Sequence, residues 1–114
     1  MISVFYVHWN EEEARERETL LRKAGLRVRS HWKSGEVPRF RDNVPDVFVI
    51  SLDRLPSHGR AIAEWVWSAK SRHNIPIVFS GGAAEKVRET RTAFPGAHYC
   101  ATGQEAATVA RLFG

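Results

Sequence analysis

An α/β fold built on a parallel sheet is predicted by three features of this 114-residue chain. Short runs rich in β-branched and aromatic residues recur along it, and most of the segments between them carry helical spacing. The two central runs, Val47 to Leu52 and Pro76 to Ser80, are almost continuously apolar. A strand without polar alternation is buried on both faces, as parallel strands are when crossover helices cover both sides of the sheet.

The first run, Ile2 to His8, reads as a strand. Asn10 and Glu13 then have the spacing of a capping box, and Glu11 to Glu13 suit a helix N-terminus. The helix is expected to reach about Ala24, with Ala14, Leu20, Leu21 and Ala24 facing the core. Glu11–Arg15, Glu13–Arg17 and Glu18–Arg22 form i,i+4 pairs on its outer face. Gly25 ends it, with Leu26 as the hydrophobic contact beyond. Leu26 to Trp32 alternates and fits a strand exposed on one face, at a sheet edge. Lys33 to Val44 carries Gly35, Pro38 and Asp42-Asn43 and reads as a loop with at most one helical turn.

After the buried strand at Val47 to Leu52, Ser57 is the expected cap of a helix from Gly59 to about Arg72. Ile62, Trp65, Val66 and Ala69 recur there at helical spacing. Trp65 and Trp67, two apart, are expected to divide between core and surface, because a helix turns roughly 200° in two residues. Pro76 to Ser80 is the next strand, Gly81-Gly82 a turn, and Ala83 to Ala93 a helix broken by Pro95-Gly96. Ala97 to Ala101 is a short last strand. Thr102 with Glu105 makes a second capping box, opening a helix that holds Ala106, Val109, Ala110, Leu112 and Phe113. Right-handed crossovers and five strands at this spacing give a flavodoxin-like three-layer αβα sandwich with a five-stranded parallel sheet in the order 2-1-3-4-5.

The length suits a single domain over residues 1–114. No apolar run approaches the roughly 20 residues that span a bilayer, and MISVFYVHW lacks the flanks of a signal peptide. Cys100 is the sole cysteine, which excludes an internal disulfide and fits a reducing, cytoplasmic setting. The formal charge is +4, and thirteen of the seventeen basic residues are arginine, a weak preference for anionic partners.

On this order, PDVFVIS followed by a Pro and a Gly, the strand IPIVFSGG, and Tyr99 in the last strand resemble the response-regulator receiver (CheY-like) family over nearly the whole chain. The resemblance implies a bacterial signalling module. It also implies a phosphorylation site: an acidic pair after the first strand, an aspartate ending the third, a Thr or Ser ending the fourth and a Lys ending the fifth. The chemistry requires a carboxylate nucleophile beside a cation that prefers oxygen ligands. This chain has His8, Trp9 and Asn10 at the first place, with Glu11 beyond. Ser51 or Leu52 falls in the acceptor slot, one or two residues ahead of Asp53. Gly81 falls at the hydroxyl position after Ser80, and Thr102-Gly103 stands for the lysine. The expectation is a degenerate pseudo-receiver that acts through protein contacts without catalysis, with no cofactor and no metal. Two alternatives stand beside it. A bulge that re-aims Asp53 leaves a phosphorylatable receiver. A crevice that takes a small anion or nucleotide makes a ligand sensor.

The strand-end crevice gathers His8, Trp9, Asn10, Ser51, Asp53, Arg54, Gly81 and Gly82. His8, Ser51 and Asp53 include the types of a nucleophile triad, but no G-x-S-x-G elbow is present, and a polar strand-end cluster is the plainer reading, though a small hydrolase stays in view. Gly81-Gly82 can admit an anion to backbone N–H groups, with Arg54 or Arg60 adding charge, or can simply supply a positive-φ turn. His58 reads as a loop histidine, and His31, His73 and His98 are scattered without metal-ligand spacing. Cobalamin-binding and common nucleotide-binding motifs are incomplete or absent. No recognition helix or RNA motif appears, so nucleic acid and membrane are not expected partners. The resemblance places the partner or homodimer surface on the helix after the fourth strand, the fifth strand and the closing helix, with Lys86, Arg88, Arg91, Tyr99 and Arg111.

Overall fold

The computed structural model describes residues 1–32, 44–53 and 56–114. Five parallel strands, β1 (Ser3–Val7), β2 (Arg27–His31), β3 (Val47–Ser51), β4 (Ile77–Ser80) and β5 (His98–Cys100), form one sheet in the order β2-β1-β3-β4-β5. Four helices accompany them: α1 (Glu11–Lys23), α2 (Pro56–Trp67), α3 (Ala84–Ala93) and α4 (Glu105–Phe113). This is the flavodoxin-like order expected. The expected loop at Lys33 to Val44 lies almost wholly outside the described residues.

The strands separate two apolar layers by simple alternation. Phe5, Val7, Phe48, Ile50, Ile77 and Phe79 point to the side covered by Ile62, Ala63 and Val66 of α2. Val4, Tyr6, Val28, Val47, Val49 and Val78 point to the side of Ala14 and Leu21 of α1 and Val109 of α4. Register fixes which side each residue takes, because a slip of one would turn every side chain over. Phe5 lies opposite Phe48, and Phe48 opposite Ile77.

Helix ends follow the local chemistry. The Asn10 side chain accepts the Glu13 N–H at 3.0 Å, capping α1 as expected. At the other end Gly25 adopts φ +90°, its N–H bonds to the Arg22 carbonyl, and the Leu26 N–H bonds to the Leu21 carbonyl. That pair is a Schellman motif, and it needs a residue tolerant of the left-handed region. The core stripe of α1 is narrower than expected. Ala14 and Leu21 are buried, whereas Ala24 is exposed and Leu20 is 61% exposed. The apolar face runs through positions 14, 17 and 21, and Leu20 lies one step of about 100° away from Leu21.

Three other expectations are corrected. Helix α2 begins at Pro56, so Ser57 is inside it and not its cap; proline at the first helical position needs no N–H partner. The helix also ends at Trp67 and not at Arg72. The Ser68 hydroxyl and the Arg72 guanidinium both donate to the Trp65 carbonyl, closing the last turn from the side. Trp65 and Trp67 are both half-buried against the same apolar layer. Arg72 stacks on the Trp65 ring at 3.9 Å, while Trp67 donates its indole N–H to the Ile75 carbonyl and packs on Phe94. Polar partners hold each tryptophan half-buried, where periodicity alone puts one in the core and leaves the other at least partly exposed. On α4, Glu105, Thr108 and Val109 are the buried residues, while Ala110 and Phe113 are exposed.

Candidate functional site at the strand ends

The carboxyl ends of β1, β3, β4 and β5 meet around Asp53. Its Oδ1 accepts the Gly82 N–H at 2.8 Å. Its Oδ2 accepts Arg17 Nη1 at 3.0 Å and the Thr102 hydroxyl at 3.1 Å. The Asp53 N–H itself donates to Ser51 Oγ at 3.2 Å. The carboxylate is therefore held by donors from α1, from the turn after β4 and from the turn after β5. Two residues past the end of β3, it still reaches the middle of the crevice, because Leu52 turns its side chain into the core.

Two glycines make this possible. Gly81 and Gly82 have φ +69° and +90°. A Cβ on Gly81 would lie 2.6 Å from Thr102 Oγ1 and against the Asp53 carboxylate, and one on Gly82 would lie 2.7 Å from Leu52 Cβ. Both positive φ and close approach are thus required here. The Gly82 amide that an exogenous anion would use is already occupied by the chain's own carboxylate.

Arg17 links this carboxylate to the first strand. Its guanidinium reaches the Tyr6 hydroxyl at 3.4 Å and Glu13 Oε1 at 3.8 Å, as well as Asp53. Glu13 Oε1 lies 2.9 Å from His8 Nε2, and His8 is fully buried with its ring stacked on Tyr6. A continuous polar chain runs His8–Glu13–Arg17–Asp53–Thr102. Burial pushes the Asp53 carboxyl up, but the Gly82 amide, the Arg17 guanidinium and the Thr102 hydroxyl together outweigh it and hold the group below the usual carboxylate value. Burial drives the Tyr6 phenol up to about 12, against the opposing pull of Arg17. Burial opposes the charge on Arg17, and its bonds to Tyr6 and Asp53 more than restore it.

Asp53 binds its proton less readily in the folded chain than in the unfolded one. Its stabilisation is thus complete above the ordinary carboxylate pKa of about 3.9 and is lost as pH falls through the lower folded value. The expected result is that wild type exceeds Asp53→Asn in urea midpoint near neutrality and that the gap closes on acidification below about pH 4. A gap independent of pH would contradict it.

Sequence reasoning foresaw some of this arrangement and missed its centre. His8, Asn10, Ser51, Asp53, Gly81 and Gly82 all lie at the strand ends, while Arg54 lies outside the described residues. His8 is engaged with Glu13, and Ser51 Oγ with the Asp53 amide, so the triad types serve separate structural bonds. Trp9 packs between His58 at 4.3 Å and His31 at 5.9 Å, forming the rim on the α2 side. Thr102 does not cap α4: Gln104 occupies the cap position and Glu105 bonds back to the Gly103 N–H, leaving the Thr102 hydroxyl for Asp53. Glu13 gives its N–H to the Asn10 side chain and turns its carboxylate to His8. Arg17 was expected on the outer face with Glu13, yet it occupies the inward stripe between Ala14 and Leu21. That position, a base where the period calls for an apolar residue, is the signal that could have found it.

No protein-family model and no curated protein matches the chain by sequence. Solved structures do match it by shape. The Vibrio cholerae chemotaxis protein CheY4 is 15% identical, with a TM-score of 0.71 over 99% of this chain and 96% of that one. A response regulator receiver protein from Burkholderia phymatum is 19% identical, with a TM-score of 0.69 over 99% and 92%. The signal receiver domain of a DNA-binding response regulator from Colwellia psychrerythraea 34H is 15% identical, with a TM-score of 0.71 over 99% and 98%. The chain has the receiver-domain fold.

In this receiver fold β5 is an edge strand, and the expected partner residues flank it on both sides. Tyr99 is half-buried, stacks on Phe79 at 5.4 Å, donates its hydroxyl to the Phe94 carbonyl and lies under Arg91 at 4.8 Å. Lys86 pairs with Glu89 at 3.6 Å, and Arg88 is exposed. Arg111 is exposed on α4, across the sheet from Tyr99, where it donates to Thr108 Oγ1 at 3.3 Å. Among the described residues, no group of three or more His, Cys, Asp and Glu could hold a metal ion, and no helix is long and apolar enough to cross a membrane.

Proposed function

We propose that this chain is a receiver-like regulatory module that is not switched by phosphorylation and works through protein contacts, without catalytic turnover. The observation that carries the reading is the engagement of Asp53. An acyl-phosphate-forming carboxylate needs an oxygen free to attack phosphorus and a cation to gather the phosphoryl oxygens. Here one oxygen faces a backbone amide, and the other faces a guanidinium and a hydroxyl. Arg17 stands where charge compensation is required, and an arginine, always protonated, compensates permanently. A module built this way keeps Asp53 paired with a permanent positive charge, and its output is set by what binds its surface.

The exposed bases Arg88, Arg91 and Arg111 around the β5 edge, in a chain of formal charge +4, suit an acidic protein surface. The anion-sensor alternative loses support, because the Gly82 amide is satisfied internally.

Incubation with Mg²⁺ and acetyl phosphate, followed by intact-mass and peptide mapping, tests the reading. Unmodified protein is the expected product. A stable covalent phosphate on Asp53 would replace it with the phosphorylatable receiver.

A further inference from the structure

Helices α1 and α4 lie side by side on the face of the sheet opposite α2. Their outer surface carries two of the four large apolar side chains that are exposed among the described residues, Leu20 at 61% and Phe113 at 44%. Leu20 and Ala106 line the same cleft between the two helices. Ala106, Ala110 and Phe113 follow at i, i+4 and i+7, so they form one stripe along the flank of α4 that adjoins Leu20. Ala106 is half-buried and Ala110 exposed. The two helices thus present an apolar strip to solvent, and a strip of this kind marks a contact surface.

Charge selects the occupant. On α1, Glu11, Glu13 and Glu18 are taken by Arg15, Arg17 and Arg22 at i,i+4. Glu16 and Lys23, both exposed, have no ion-pair partner among the described residues. They bracket Leu20, four residues before it and three after. Seven residues separate them by about 10 Å along the helix, too far to pair with each other. A two-fold axis beside Leu20, at right angles to α1, turns that separation into a match. Positions equally spaced from such an axis exchange partners, so Glu16 of each copy faces Lys23 of the other. The chain as a whole is positive. This strip holds one charge of each sign, so copies meeting here escape the repulsion of base against base.

We propose that a second copy of this chain docks on the α1–α4 face as a two-fold dimer. Leu20 meets its counterpart at the axis, Ala106, Ala110 and Phe113 lie beside it, and Glu16 of each copy pairs with Lys23 of the other. Self-association is thereby placed away from β5, where the receiver resemblance puts it, and that edge is left open to a different partner. The dimer does not depend on whether Asp53 takes phosphate. Helices of 13 and 9 residues are about 20 and 14 Å long, so the face is at the small end of specific interfaces. The dimer is accordingly weak, with a dissociation constant on the order of 100 μM.

Sedimentation equilibrium of the full chain from about 10 μM to about 1 mM, with no phosphodonor present, tests this. The expected mass rises with concentration towards twice that of the chain. Leu20→Glu alters an exposed side chain and is expected to keep the fold, checked by circular dichroism, while weakening association by about tenfold or more. Glu16→Lys sets like charges together at both ends of the interface and is expected to weaken it by a similar factor. Adding Lys23→Glu to Glu16→Lys restores opposite charges and is expected to bring association back to within about threefold of wild type. A monomer at every concentration would overturn the proposal. So would association undiminished by Leu20→Glu, which would place it on another face, or a charge swap that restores nothing. Should Leu20→Glu fail to fold, the charge swap decides alone.

Discussion

Gly82→Ala is expected to lower the free energy of unfolding by about 3 kcal/mol, read from urea midpoints at unchanged m-value. Two costs add. A non-glycine residue at φ +90° stores about 1–2 kcal/mol. The new methyl would also lie 2.7 Å from Leu52 Cβ, an overlap that the backbone relieves only by moving the turn, at roughly 1–3 kcal/mol. The Gly82 N–H points at Asp53, so moving the turn also strains the bond that holds the carboxylate. Gly103→Ala is the matched control. It too has positive φ, at +94°, but a Cβ there meets nothing within 4 Å. It should cost only the conformational part, about 1 kcal/mol. Equal losses in the two variants would show that close packing against Leu52 contributes nothing.

Arg17→Met is expected to cost about 2 kcal/mol near neutral pH and to leave Asp53 titrating higher than in the wild type. Methionine keeps most of the apolar stem and removes the charge. Breaking a fully buried pair costs roughly 3–5 kcal/mol. The side chains of Arg17 and Asp53 are 19% and 26% exposed, so solvent screens part of that. The sign of the Asp53 change follows from its environment: burial raises its pKa, and one of the bonds opposing burial is gone. Direct titration of the Asp53 carboxyl carbon by NMR reads this. A double variant, Arg17→Met with Asp53→Asn, should recover part of the lost stability, because it removes the stranded charge as well as its partner. A carboxyl that titrates no higher in Arg17→Met would mean that the Gly82 amide and Thr102 hydroxyl hold it alone.

The fold was legible because alternation and capping are local. Val47 to Ser51 is apolar on both faces, and that pattern places β3 at the centre. Asn10 and Gly25 mark the ends of α1 within one residue. The site was harder, since its partners come from distant segments. Position along the chain puts Ser51 or Leu52 in the acceptor slot and Asp53 one or two residues beyond it, but such counting measures distance along the chain and not reach across a crevice. The carboxylate is brought home by Arg17, 36 residues away, and Thr102, 49 residues away. Arg17 itself has two sequence-compatible partners, Glu13 and Asp53, and the i,i+4 rule sees only the first. Leu20 shows the reverse error: its apolar character assigned it to the core, yet it borders an open cleft.

The two end strands carry a consequence for self-association. The five residues of β2 carry Arg27, Arg29 and His31, and the exposed Arg27 starts the strand; β5 has just three residues, with His98 exposed and Arg91 beside Tyr99. Such borders are short and cationic, which discourages backbone-to-backbone annealing of one molecule onto another. Pairing of copies edge to edge through these two strands is therefore disfavoured, and with it a fibrillar, continuous-sheet assembly.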